Sequence, residues 1–442
     1  MSEQPAASLR LSQATWKEFP SIAILPFVDL SQAHREGHFC EGFAEEIIQG
    51  LSRVDGLRVL SRTSSFLYKD SDLGPEEIAQ HLGAQFLLTG SLQKEGARLA
   101  VRAELFAAEG ATVVWSQRVA REGSDIFALV AELIDAIATT LGIKAPAFNH
   151  LPVNLEAYDS YLKGRHYYFW FSRQGMGLAI QEFEKALNLD ATYAAAWAGL
   201  AFCAAYLYIY VDRSETHRTQ AETASQRALA LDPQLAEAHV ARGVALSASG
   251  KHGEAEEAFE TALRLDANLY EAYYFYARHC FAVGRPEEAI QYFEWAAALR
   301  PEDYQAALLV AQVYGSLGIL DEAEAARRRG LALVEARLKH APKDARAMYL
   351  GANALVALGD RETGLDWARR ARSLDPDDSM LLYNLGCIHA LAGELEEALD
   401  CLSLAVAAGL SEKKWFLHDG DLEVLHAHPR FKELVRSLDD ES

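Results

Sequence analysis

The sequence predicts an α+β domain followed by an all-α solenoid of stacked helix pairs. Three observations carry that prediction. Before residue 143, short apolar runs alternate with amphipathic stretches of helical spacing. Beyond residue 154, glycines at 250, 284, 318, 359 and 393 fall 34, 34, 41 and 34 residues apart, a period that belongs to repeating helix pairs. A second marker keeps the same register: LDA at 189–191, LDP at 231–233, LDA at 265–267, LRP at 299–301 and LDP at 374–376. It ends the second helix of each pair, since Pro cannot continue a helix interior and Asp can cap the next helix.

After an irregular segment over 1–20, Ser21 to Val28 is an apolar strand, and Phe39 to Arg53 is a helix whose Phe43, Ile47 and Leu51 share one face. Leu57 to Leu60 is a second strand, Pro75 to Leu82 a helix with Pro in its first turn, and Gln85 to Gln93 a third strand. Arg98 to Phe106 alternates in period two, Glu109-Gly110 turns the chain, and Val113 to Val119 alternates again around Trp115. Asp125 caps a closing helix that runs through Leu141. The order β-α-β-α-β-β-β-α gives a mixed sheet with helices packed on it over residues 21–142. Residues 143–154, with two prolines and little periodicity, form the linker. The stretches IAILPF, FCEGFAEEII, RVLSRTSS, LLTGSL and VVWSQR resemble the TolB N-terminal or FlgO-like domain of bacterial signalling proteins.

In the second part each glycine stands where a helix must stop, because Gly takes the left-handed cap conformation without a side-chain clash. The segments that follow, such as GKHGEAEEAF and GELEEALDCL, place carboxylates at the next helix's N-terminus, where the backbone dipole favours negative charge. Phe259 and Phe293, followed by Ala262 and Ala296, complete a pattern that resembles the tetratricopeptide repeat. About seven repeats fit residues 155–408, and 409–442 make a helical cap and tail. Extra residues around Tyr208 to Thr219 and Val334 to Lys339 imply longer helices or loops there. EAYDSYLKGR and WFLHDGDLEVLHAHPRF resemble the repeat region and tail that accompany the TolB-like domain. That resemblance implies an upstream output module, either a nucleotide cyclase, a winged-helix DNA-binding domain or a kinase. With Met1 close to the first strand, such a module is not expected here.

The net charge of −21, from 42 basic and 63 acidic residues, disfavours a surface that tracks phosphates, so no nucleic-acid partner is expected. Cys40, Cys203, Cys280, Cys387 and Cys401 are odd in number and lack CxxC spacing, as suits free thiols in a reducing, cytoplasmic setting. Ala191 to Val211 carries no charge, but its Ala and Tyr content between Asp190 and Asp212 fits a buried repeat helix better than a membrane span. No phosphate loop, HExxH, GxSxG or kinase motif occurs, and Gly175-Met176-Gly177 is a lone GxG. His426 and His428 would need a third ligand, and the nearby Asp419 and Asp421 are of the kind the resembling tails carry, while His34, His38 and Cys40 sit in a loop leading to a helix as solvent-facing polar residues, so neither group is expected to hold a metal. Asp29, Ser31, Arg62, Thr63, Ser64 and Ser91 would gather at a strand-end crevice, where turn formation and helix capping account for them. The expectation is a protein without catalytic residues, cofactor or metal.

A binding face is proposed by recurrence. Tyr161, Arg165 and Tyr168 return as Tyr274, Arg278 and Phe281, with Arg346, Tyr349 and Asn353 at related steps of a later repeat. Phe202, Tyr206, Gln312 and Tyr383 occupy corresponding positions of other first helices. Lining the concave side, the rings would give apolar contact and the arginines would hold carboxylates of a polypeptide partner. Arg278 and Asn353 would then be exposed. The alternative is that the tyrosines pack between repeats and the arginines pair with neighbouring acids. Function follows as an interaction scaffold or regulatory adaptor in bacterial signalling. The second reading is the sensor part of a cyclase or transcription-regulator system whose output lies on another chain.

Overall fold

The computed structural model describes residues 19–31, 37–52, 54, 56–69, 71–95, 98–110, 112–122, 126–144, 154–410 and 413–438. The chain divides into two compact units, 1–163 and 164–442.

In the first unit, β1 (Ser21–Ile24) runs parallel to both β3 (Arg58–Val59) and β4 (Phe86–Glu95). β4, β5 (Arg98–Ala107) and β6 (Thr112–Glu122) form an antiparallel meander, so the sheet is mixed, with order β3-β1-β4-β5-β6. The expected first strand is interrupted after Ile24. Pro26 has no N–H to give to a ladder, and pairing with β4 resumes at β2 (Val28–Asp29). Helix α1 (Gly37–Ser52) buries Phe43, Ile47 and Leu51 completely, as their spacing requires. An unforeseen short helix, α2 (Arg62–Ser65), is capped by the Ser61 hydroxyl, which accepts from the Ser64 N–H. Helices α3 (Pro75–Leu82) and α4 (Ile126–Thr140) follow the sequence pattern closely. The Asp125 cap and linker residues 145–153 lie outside the described residues.

Helix α5 (Leu155–Tyr168) carries the division between the units. Its first turns belong to the first unit: Tyr158 sits edge-on to Phe39 at 5.7 Å, and Asp159 accepts from Lys94 at 3.0 Å and pairs with His38 at 2.8 Å. These contacts place the boundary at Lys163, beyond the expected linker.

The second unit is an all-helical tetratricopeptide solenoid. After α6 (Arg173–Leu189), helix pairs succeed one another as α7 (Ala194–Leu207) with α8 (Glu215–Leu231), α9 (Ala236–Ala248) with α10 (His252–Leu265), and α11 (Tyr270–Ala282) with α12 (Pro286–Leu299). Then come α13 (Tyr304–Ser316) with α14 (Leu320–His340), α15 (Ala345–Ala357) with α16 (Arg361–Leu374), and α17 (Ser379–Leu391) with α18 (Leu395–Ala407). The five periodic glycines all have positive φ, between 72° and 94°, so each is the left-handed stop inside its helical hairpin. Both length anomalies resolve as longer helices: α7 is prolonged by a π-turn over Tyr208–Asp212, and α14 runs on to His340. Helices α19 (Lys413–His418) and α20 (Pro429–Ser437), with a 3-10 turn at Gly420–Leu425, close the far end by burying Phe416, Leu422, Leu425 and Phe431.

The solenoid curls until its ends meet. The Ser379 hydroxyl donates to the Tyr210 carbonyl at 2.7 Å, the Arg173 N–H reaches Asp378 at 3.4 Å, and the Tyr210 and Trp415 rings lie 5.4 Å apart. A Cβ at Gly409 would collide with the Val211 carbonyl, so the chain approaches the π-turn where only glycine fits. Ala194–Asp212 is long and apolar enough to cross a bilayer, yet 67% of its apolar window is buried inside the protein.

Candidate site inside the closed solenoid

The concave face gathers its side chains from helices far apart in sequence. Tyr274 on α11 is the hub. Arg278, one turn further along α11, donates to the Tyr274 hydroxyl oxygen at 3.4 Å, and Arg346 on α15 donates to that same oxygen at 3.1 Å. Arg346 also donates from Nε to Gln305 at 2.8 Å and from Nη1 to the Tyr349 hydroxyl at 2.9 Å. Aromatic faces complete the surroundings: the Arg278 guanidinium lies 4.7 Å from the Tyr210 ring centroid, and that of Arg346 lies 5.5 Å from Phe171. Guanidinium groups stack favourably on such rings. Phe202 packs 4.7 Å from Phe275 and 4.8 Å from Tyr168, while Tyr206 packs 4.6 Å from Tyr210.

Burial pushes the phenols of Tyr206 and Tyr210 up and that of Tyr349 to about 12, so these hydroxyls are neutral at physiological pH. Among the described residues, neither Arg278 nor Arg346 has a carboxylate within ion-pair distance, although both stay partly exposed. The nearby acids are committed elsewhere. Asp303 accepts the Gln305 N–H, Asp378 the Leu381 N–H, Asp344 the Ala347 N–H, and Glu271 pairs with Arg300.

The structure brings some of the residues singled out by recurrence together and places others elsewhere. Tyr168, Phe202, Tyr206, Tyr274, Arg278, Arg346 and Tyr349 are joined by the contacts above. Their tyrosines are buried in the coil, not set along an open groove: Tyr274 is 2% exposed and Tyr349 5%. Tyr161 belongs to the first unit, where it stacks on Tyr158. Arg165 lies over Phe169, and among the described residues Phe281 and Gln312 make no hydrogen bond or ring contact with the two arginines.

Asn353 was expected to be exposed; it is 4% exposed and donates to Asp421 at 2.7 Å. With Tyr383, which donates to Asp419 at 2.9 Å, it forms a separate polar joint that includes the Cys387 thiol, 3.6 Å from Asp419. Burial raises both carboxyls of that joint, and the neighbouring Asp419 charge helps bring Asp421 to about 7.

Sequence reasoning missed Tyr210, Phe171 and Gln305. The aromatic run YLYIYV in the anomalous insertion was the one available signal for Tyr210. Phe171 holds a left-handed φ of 46° that a bulky side chain seldom adopts, and nothing in its sequence neighbourhood announces it.

In the first unit, several of the residues expected at the strand-end crevice are engaged in ion pairs, turns and a helix cap. Arg62 pairs with Glu41 at 2.9 Å and Glu45 at 3.5 Å, Asp29 accepts the Ser31 N–H, and Ser61 and Ser64 serve the α2 cap. All five cysteines are buried free thiols.

The fold is a mixed-sheet α+β domain followed by a tetratricopeptide solenoid. Residues 17–138 match the family model of the HilA/YgeH-like transcriptional regulator, second domain. The tetratricopeptide repeat model matches residues 215–270, 241–294, 277–334 and 349–409. A protein of Rhizobium meliloti (strain 1021), provisionally named adenylate cyclase 3, is 31% identical over 236 residues. That match takes in 52% of the chain and only 40% of the relative, so the chain spans well under half of that protein's length. Among solved structures, YrrB, a tetratricopeptide protein with an unusual peptide-binding site, is 23% identical over 49% of this chain and 97% of its own, with a TM-score of 0.28. Human IFIT1 is 15% identical, with 71% and 77% covered and a TM-score of 0.43.

Proposed function

We propose that the protein is a non-enzymatic regulatory module of a bacterial signalling system. Its solenoid engages a polypeptide partner and its α+β domain, of the TolB-like or FlgO-like kind, couples that engagement to an output element. One observation supports this above the others: regions of the same chain resemble part of a transcription regulator and part of a protein named for cyclase activity. What two different outputs share is the control apparatus rather than either output chemistry. The second reading, a ligand sensor within such a system, draws support from the closed solenoid, whose concave residues face one another instead of an open groove.

The test is enzymatic and direct. Purified full-length protein incubated with ATP or GTP and Mg²⁺ or Mn²⁺ is expected to yield neither cyclic nucleotide nor released phosphate. Metal-dependent turnover abolished by a substitution within this chain would overturn the non-enzymatic reading. In the source organism, cross-linking is expected to join the chain to a cyclase or a DNA-binding regulator.

A further inference from the structure

The geometry points to a binding site for a small anion, carrying a phosphate or carboxylate group, between Arg278 and Arg346 inside the solenoid. This deepens the regulatory reading by naming a ligand class, and it rests on three features of the site.

First, two guanidinium groups converge on one hydroxyl oxygen. Arg278 and Arg346 both donate to the Tyr274 hydroxyl, at 3.4 and 3.1 Å. Like charges held this close and only partly exposed repel one another, and an anion between them relieves the repulsion.

Second, no such anion is found among the described residues. Among the described residues no carboxylate pairs with either group, and Asp303, Asp378 and Asp344 are turned to capping α13, α17 and α15. Arginine cannot shed its charge to relieve the repulsion.

Third, donors remain unspent. A guanidinium has five N–H donors; among the described residues Arg346 uses three atoms, on Gln305, Tyr349 and Tyr274, while Arg278 makes a single hydrogen bond within 3.5 Å. Both arginines keep some solvent access. Planar forks of this kind match the paired oxygens of phosphate and carboxylate groups. The rings of Tyr210 and Phe171 stack on the guanidiniums and fix their orientation. The coil closes on itself through Ser379 and Tyr210, and a compact anion requires less opening of it than an extended polypeptide.

Titration calorimetry on the full-length protein, in a buffer free of polyvalent anions, tests the assignment with inorganic phosphate, AMP and succinate as probes. Saturable binding at one site per chain by at least one probe is expected. Arg278→Gln and Arg346→Gln should each weaken it at least tenfold, and Arg328→Gln, an exposed control on α14, should leave it unchanged. Preference for phosphate and AMP would identify a phosphate ligand; preference for succinate would identify a carboxylate. In the same anion-free buffer Arg278→Gln should melt no earlier than the native protein, since it removes one of two repelling charges together with one long hydrogen bond. Tyr274→Phe, which keeps the ring, provides a variant with minimal folding risk and should alter affinity measurably. No saturable binding of any probe, or binding unaffected by both arginine substitutions, would overturn the proposal. Neither result bears on whether the chain is an enzyme or engages a partner.

Discussion

Two like-charged pairs lie within the solenoid, Arg278 with Arg346 and Asp419 with Asp421, and they differ in how their repulsion can be relieved. The acidic pair is surrounded by donors: Tyr383, Cys387, Asn353 and the backbone N–H of Asp421 all point at it. It can also take up a proton, and burial together with the neighbouring charge brings Asp421 to about 7. The basic pair has phenols and rings around it and cannot lose a proton at any physiological pH. The acidic joint is thus a closed structural unit that ties α15 and α17 to the C-terminal cap, whereas the basic pair is complete only with something added.

The largest expected effect comes from breaking the closed joint. Asp419→Ala strips the acceptor from the Tyr383 hydroxyl and the Cys387 thiol and removes the cap of the 3-10 turn at Gly420–Leu425. Leaving buried donors without partners costs about 1–3 kcal/mol, to which the lost cap adds roughly 1 kcal/mol. Urea unfolding should show a loss of about 3 kcal/mol, while Arg278→Gln changes stability by less than about 1 kcal/mol. Equal losses for the two variants would remove the distinction drawn between the pairs.

A smaller effect concerns pH. The Asp421 carboxyl is raised in the folded protein from 3.8 to about 7, so between those values the native state holds more protons than the unfolded state. Stability therefore falls as pH rises from about 4 through 7. Each pKa unit corresponds to ~1.4 kcal/mol, which the partial exposure of Asp421 reduces to a total of about 2 kcal/mol. Unfolding measured at pH 5 and pH 8 should show a little over half of that total, about 1 kcal/mol, and Asp421→Asn, which keeps an acceptor for Asn353, should remove most of it. A slope unchanged in the variant would assign the dependence to another group.

What was legible in the sequence was what local chemistry decides. The cap glycines at 250, 284, 318, 359 and 393, the Pro75 helix start and the alternation of β5 and β6 are dictated within a turn or two of chain, and the structure places them as expected. The recurrent Tyr-Arg steps drew attention to Tyr274, Arg278, Arg346 and Tyr349, which the structure brings into contact. Closure of the coil was not legible, because it arises from small rotations summed over many repeats. The same summation buried Asn353 and brought Tyr210, on an insertion noticed only as surplus length, against Arg278 and Trp415. The break at Pro26 and the left-handed Phe171 were missed for opposite reasons. The first was a local signal inside an otherwise persuasive apolar run, and the second is a strain held by tertiary contacts.

The smallest expected effect separates residues that support the site from residues that face the ligand. The Tyr206 hydroxyl, on a side chain only 3% exposed, donates to the Phe171 carbonyl at 2.9 Å. Phe171 sits in the left-handed region, which a bulky residue occupies at a cost of about 1–3 kcal/mol and only where surrounding contacts impose it. Its ring in turn lies beneath Arg346. Tyr206→Phe deletes that one hydrogen bond while keeping the ring packed against Tyr210, so unfolding should register a loss of about 1 kcal/mol. Because the lost bond reaches the backbone and neither guanidinium, anion affinity should change by less than about threefold, the equivalent of ~0.6 kcal/mol. Tyr274→Phe should show the reverse weighting, with affinity altered more than stability, since its oxygen lies between the two arginines. If Tyr206→Phe reduced affinity as strongly as Tyr274→Phe, the Phe171 turn would belong to the binding surface itself, and the line between scaffold and ligand contacts would have to be redrawn to include it.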